Sequence, residues 1–243
     1  ISKKRGFLYK AIDIPIPFSD DDFLSRLKSS VNRRTKVIFL SHITSPTAIR
    51  FPIEEICRWA RQKGILTIID GAHAPAQINL DLRSLGANIY TGACHKWMLC
   101  PKGVSFLYCE RSIQNQLLPL VVSWGWESDT PSGSNFLDHH QYQGTNDISA
   151  YLSTPKAIEY LKNNDWSAVT SHCQRKVPEA RDLLLETLGT EKICRDSSLS
   201  QMASIEIRVH DSNDLYSYLK KSGIVIPVIS WSGRTYIRIS LQC

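Results

Sequence analysis

Along the first 110 residues the spacing of apolar positions switches back and forth between two periods. Short runs rich in β-branched and aromatic residues predict strands at 7–14 (FLYKAIDI), 36–41 (KVIFLS), 65–70 (ILTIID), 88–92 (NIYTG) and 103–110 (GVSFLYCE). The stretch between the first two opens with acidic residues at 20–22. It then sets Phe23, Leu24, Leu27 and Val31 on one face, which predicts a helix over 20–31. Residues 51–64 have Pro52 at the start, Gly64 at the end and an apolar stripe of Ile53, Ile56, Cys57 and Ala60. A short helix is predicted at 82–87. Strands that alternate with helices, one of them (65–70) apolar on both faces, predict an α/β fold with a mainly parallel sheet and helices on both faces.

Beyond residue 110 the pattern changes. Residues 111–150 have no clear period, and 121–135 (VVSWGWESDTPSGSN) are rich in Gly, Pro and Ser. Helices are predicted from about 153 to 163 and from 166 to 188, the second with a kink at Val177-Pro178. The tail reads strand (201–209), helix (212–223), strand (224–229), strand (235–240), a small α+β unit. The expected domains are residues 1–155, the large one, and 156–243, the small C-terminal one.

Composition changes this picture little. Hydrophobic residues make up 42% and charged residues 21%, as in ordinary globular proteins. No apolar run is long enough to predict a membrane span, and no signal peptide is expected. The net charge of +6 is spread out rather than striped with aromatics, so a nucleic-acid partner is not expected. The seven cysteines, at 57, 94, 100, 109, 173, 194 and 243, include no C-x-x-C pair. This argues against a disulfide framework or zinc site and for reduced thiols in the cytoplasm. The chain does not begin with Met, and a trimmed or partial chain is expected.

In parallel α/β sheets, sites gather beyond the carboxyl ends of the strands. Ser41-His42, Asp70 and Thr91-Gly92 all fall there. Asp70 ends a buried strand, where an unpaired carboxylate is costly and a cationic ring would be a partner. Lys96 follows the next strand in a turn of small residues (GACHKW), beside His95, which could donate a hydrogen bond to a phosphate. Pyridoxal phosphate chemistry needs those parts: an amine for the Schiff base, a carboxylate for the pyridine nitrogen, and polar groups for the phosphate and ring oxygen. Taken singly, Asp70 could cap a helix begun by GAHAPA, Lys96 could be a surface lysine, and His73 a satisfied polar residue.

The stretches SHITSPTA (41–48), 64–108, VVSWGW (121–126), YQGTND (142–147) and YIRIS (236–240) resemble the class V aminotransferase superfamily of pyridoxal-phosphate enzymes, and above all its isopenicillin N epimerase-like branch. The resemblance spans nearly the whole chain. It implies a fold type I large domain, a smaller C-terminal domain, pyridoxal 5′-phosphate as cofactor, an amino-acid substrate, and a homodimer with sites at the subunit interface. By the same resemblance, Lys96 is the lysine joined to the cofactor and Asp70 the partner of its ring nitrogen. His73 and His42 lie near the ring oxygen. His95, with Thr91, binds phosphate, and Gly144 and Thr145 reach the phosphate of the other subunit's site. Arg238 holds the substrate carboxylate, as a guanidinium fork suits it to do, with Arg234 as the alternative. The family's phosphate turn and ring-stacking residue are not found in residues 1–35, so the chain is expected to correspond to the larger, C-terminal part of such an enzyme.

Removal of an α-proton could lead on to epimerisation, β-elimination or transamination, and the sequence leaves these open. Cysteine desulfurase chemistry needs a mobile nucleophilic Cys; Cys173 falls in a helical pattern, Cys194 lacks the expected loop, and Cys243 is terminal. Cys94 beside His95 suggests a thiol nucleophile, but no orienting third group is evident. A non-catalytic scaffold, or a metal site at Asp138, His139 and His140, are the remaining alternatives. Trp124 and Trp126 are candidates for the substrate pocket, with packing expected for at least one.

Overall fold

The computed structural model describes residues 6–242. Eight α-helices occur among them: α1 (Asp20–Ser30), α2 (Ile53–Gln62), α3 (Leu82–Leu85), α4 (Asn135–Gln141), α5 (Ser149–Leu152), α6 (Thr154–Asn163), α7 (Trp166–Leu188) and α8 (Ser212–Lys221). The strands are β1 (Val37–Ser41), β2 (Leu66–Asp70), β3 (Ile89–Ala93), β4 (Ser105–Cys109), β5 (Met202–Ile207), β6 (Val228–Trp231) and β7 (Arg234–Ser240). The described residues form two compact units, one made of Val37–His42 and Cys57–Trp166, the other of residues 6–36, Ile43–Ile56 and residues 167–242.

The first unit holds a four-stranded sheet in the order β1-β2-β3-β4. The first three strands are parallel, and β4 runs antiparallel to β3. Short β-branched runs form these strands, and in β2 the buried positions alternate, with Thr67 and Ile69 inward. Asn88 locks β2 to the start of β3: its Oδ1 accepts from the Thr67 N–H at 2.8 Å, and its Nδ2 donates to Glu110 at 2.7 Å. Arg61 grips the same carboxylate at 3.1 Å, and that hydrogen bond holds Glu110 below the usual carboxylate range.

The second unit pairs β5, β7 and β6 in an antiparallel sheet backed by Leu185, Ile205 and Ile237. Phe18, Phe23 and Phe51 stack with centroids 4.6 to 5.7 Å apart. Phe18 is fixed by its backbone N–H, which donates to the Ile193 carbonyl at 2.7 Å.

Two expected strands differ from the structure. Residues 7–14 are irregular: Phe7, Leu8 and Tyr9 are 67%, 85% and 81% exposed, and no described strand pairs with them. An apolar run without a partner ladder has no reason to stay extended. Of the run 224–229, only Val228 and Ile229 enter β6; Pro227 cannot donate to a ladder, and Val225 is exposed. Pro178 does not break α7, which runs unbroken over Trp166–Leu188 with Val177 buried.

Candidate functional site

The register of the parallel strands brings Ser41, Asp70 and Thr91 level at one end of the sheet. His42 extends the ladder by one step, its backbone N–H donating to the Asp70 carbonyl at 2.8 Å. Gly71 does the same on the other side, donating to the Thr91 carbonyl at 2.8 Å. A side chain at Gly71 would place its Cβ 2.0 Å from the Tyr90 ring. The glycine thus lets Tyr90 lie across the strand ends, where its hydroxyl meets His42 Nδ1 at 2.9 Å.

After β2 the chain makes tight turns rather than a helix, with Ala74 N–H donating to the Gly71 carbonyl at 2.9 Å. Asp70 is therefore not a helix cap. Its Oδ1 accepts from the Ala72 N–H at 3.0 Å, while Oδ2 has no hydrogen-bond partner among the described residues. The turns bury His73, whose carbonyl accepts from Gln77 Nε2 at 2.6 Å. Its imidazole stands between two side chains of the next connection: Nε2 is 3.2 Å from Lys96 Nζ, and Nδ1 accepts from Trp97 Nε1 at 3.4 Å.

Lys96 lies on the connection between β3 and β4, pinned on both sides. The N–H groups of Cys94 and His95 both donate to the Val104 carbonyl, at 3.0 and 3.3 Å. The Cys100 N–H donates back to the Cys94 carbonyl at 3.2 Å. His95 Nδ1 donates to the same Val104 carbonyl at 3.1 Å, which leaves Nε2 as the bare nitrogen of a neutral ring. Thr91 sits half-buried in β3, level with Asp70.

The structure thus gathers His42, Asp70, His73, Thr91, His95 and Lys96 around one sheet end. Gly144 and Thr145 lie on the exposed loop between α4 and α5, where Gly144 adopts φ 123°, a conformation that favours glycine. The Tyr142 hydroxyl is 3.5 Å from Thr145 Oγ1. Arg238 belongs to β7 in the other unit. Its Nη1 donates to the Ser45 carbonyl and hydroxyl at 2.6 and 3.0 Å. Burial lowers its guanidinium pKa, and its buried Nε has no partner among the described residues. Arg234 is tied to Glu206 at 2.9 Å.

Sequence reasoning missed Trp97, Tyr90 and Gln77. Trp97 directly follows the lysine, but only the turn geometry aims its indole back at His73. None of the six described cysteines is in a disulfide; Cys243 lies outside the described residues. Burial, then Cys100, pushes the Cys94 thiol up, and burial pushes Cys194 up to about 11, so neither is a ready thiolate. His139 and His140 lie in α4: one ring packs on Trp126 with centroids 4.5 Å apart, and the other contacts the Leu117 carbonyl at 3.2 Å. Among the described residues no group of His, Cys, Asp and Glu is arranged to hold a metal ion. Trp126 packs, whereas Trp124 is 84% exposed. No described helix is long and apolar enough to cross a membrane.

The donor set fits pyridoxal phosphate. A carboxylate with an uncommitted oxygen and an amine stand on adjacent strand ends of one sheet, with imidazoles beside them. Comparison with known proteins agrees with this. The chain is 30% identical over 208 residues to isopenicillin N epimerase of Streptomyces clavuligerus, covering 81% of this chain and 52% of that protein. It is 30% identical over 193 residues to putative L-cysteine desulfhydrase 1 of Oryza sativa subsp. japonica, covering 74% of this chain and 39% of that one. The chain thus spans about half or less of the length of the curated relatives it matches. Its fold superposes on the apo structure of cysteine desulfurase from Thermococcus onnurineus NA1 with a TM-score of 0.79 at 15% identity, over 98% of this chain and 62% of that one. The family profile described as Aminotransferase class-V matches residues 15–238, and the chain belongs to that family of pyridoxal-phosphate-dependent enzymes.

Proposed function

We propose that this chain carries the cofactor-holding part of a pyridoxal-phosphate enzyme acting at the α-carbon of an amino acid, with isopenicillin N epimerase-like chemistry. The observation that carries this reading is the juxtaposition of Asp70, His73 and Lys96 at adjacent strand ends. Pyridoxal phosphate, when bound, supplies an aldehyde that captures amines and a ring that accepts electrons from the α-carbon. Asp70, whose Oδ1 is taken by the Ala72 N–H, would offer Oδ2 to the ring nitrogen and would favour its protonated form. Lys96 Nζ is the amine that would hold the cofactor and, when not so engaged, could take up and return a proton. His73 and His42 would lie toward the ring oxygen. His95 offers Nε2 to the phosphate, and because its Nδ1 donates to Val104, Nε2 donates only from the doubly protonated ring. Thr91 adds a hydroxyl there.

Arg238 is assigned the substrate carboxylate; its buried Nε, without a partner among the described residues, supports this. Gly144 and Thr145 are assigned the phosphate in a second copy of the chain, within a homodimer. The absence of disulfides among the described cysteines fits a cytoplasmic enzyme. A lyase reaction is the second reading, supported by the similarity to a desulfhydrase. The buried Cys94 and Cys194 thiols disfavour desulfurase-type sulfur transfer.

The test is incubation with pyridoxal 5′-phosphate, borohydride reduction and peptide mapping. A pyridoxyl group on Lys96, absent in Lys96→Ala, is expected. An unmodified Lys96 favours a non-catalytic scaffold, and a group on another lysine overturns the site.

A further inference from the structure

An indole has one polar hydrogen and no acceptor. Trp97 Nε1 donates to His73 Nδ1 at 3.4 Å, so Nδ1 is the bare nitrogen of the ring. The hydrogen of a neutral His73 then sits on Nε2, the atom 3.2 Å from Lys96 Nζ. We propose that Trp97 is a positioning residue that fixes His73 in its Nε2–H tautomer and so turns a ring donor toward Lys96 Nζ.

The argument is one of donors and acceptors. An Nε2–H cannot accept from an ammonium group. Its contact with Lys96 is satisfied by a neutral amine, whose lone pair accepts. Moving the ring hydrogen to Nδ1 would set two donors against each other at Trp97. His73 and Trp97 are 8% and 6% exposed, so water does little to relieve that conflict. The turn beneath the imidazole is held in place, because Gln77 Nε2 donates to the His73 carbonyl at 2.6 Å and Trp166 Nε1 to the Ala76 carbonyl at 3.0 Å. The neutral amine is the form that attacks an aldehyde or takes a proton. The tautomer stands on the geometry alone; its use in chemistry rests on the proposed function.

The test is nitrogen NMR of the ¹⁵N-labelled full chain without added cofactor, with the His73 signals assigned through His73→Gln. The wild-type ring is expected to show a bare Nδ1 and a protonated Nε2. Trp97→Phe keeps an aromatic ring but removes the N–H, and should move the tautomer ratio toward Nδ1–H by about tenfold, the worth of one hydrogen bond. A wild-type ring that is Nδ1–H or doubly protonated overturns the proposal, as does a ratio unchanged in Trp97→Phe. Should that variant fail to fold, the wild-type spectrum decides by itself. Failure of borohydride trapping at Lys96 with the Nε2–H tautomer intact would overturn the cofactor reading and leave this one standing.

Discussion

Arg181 is 1% exposed, and one of its nitrogens, Nη2, meets Asp182 at 2.7 Å and Asp196 at 2.6 Å. Its hydrogen bond is the largest cause holding the Asp196 carboxyl below the usual carboxylate range. A carboxylate with a depressed folded-state pKa adds stability above its unfolded value and loses it as pH falls through the folded one. Asp196→Asn should therefore cost about 1 kcal/mol in urea denaturation at neutral pH, a figure kept small because Asp196 is well exposed and Asp182 remains. The deficit should vanish in acid; a deficit that persists at low pH would mean lost packing instead. Thiol titration gives a second expectation. Cys94 and Cys194, both buried with raised pKa values, should resist a disulfide reagent in the folded chain and react on unfolding. At this scale Asp70 and Lys96 were legible because their chemistry and their strand-end positions agree. Trp97 was not legible, because a side chain in a tight turn follows no period that a sequence displays.

Most elements could be read from periodicity, since α1, α2 and α7 each bury one apolar stripe. The expected strands at 7–14 and 224–229 show the limit of that signal: an apolar run becomes a strand only beside a partner edge, and pairing is not written locally. The glycine at the end of β2 offers a test of how the strand ends are packed. Gly71→Ala would drive a methyl into the Tyr90 ring. Displacing that ring should break the His42–Tyr90 contact and cost about 1–3 kcal/mol, measured by urea denaturation. A cost near zero would mean that Tyr90 has room to move, and the close packing of these strand ends would have to be given up. The connection carrying Lys96 is tied down by the Cys94, His95 and Cys100 amides, so the amine travels by its own side-chain torsions rather than by loop motion.

In the unit holding the four-stranded sheet, β1 is an edge strand with Phe39 66% and Val37 46% exposed. An apolar edge of this kind recruits other strands. Phe39→Lys should lower light scattering on concentration without changing the unfolding midpoint by more than about 0.5 kcal/mol; unchanged scattering would mean that this edge does not drive association. Family and fold were both legible from the sequence, because the motifs around Asp70 and Lys96 are specific and the strand–helix alternation is regular. The path of the chain between the two units was not, since it depends on contacts far apart in sequence. Phe18 hydrogen-bonds to Ile193, while residues 57–166 build the other unit. During synthesis, Phe18 is made about 175 residues ahead of that partner, a delay of roughly 10–35 s at ordinary ribosomal speeds. Over that interval the Phe18, Phe23 and Phe51 cluster lacks the segment around Ile193, so the nascent polypeptide offers a greasy handle to chaperones until that segment emerges.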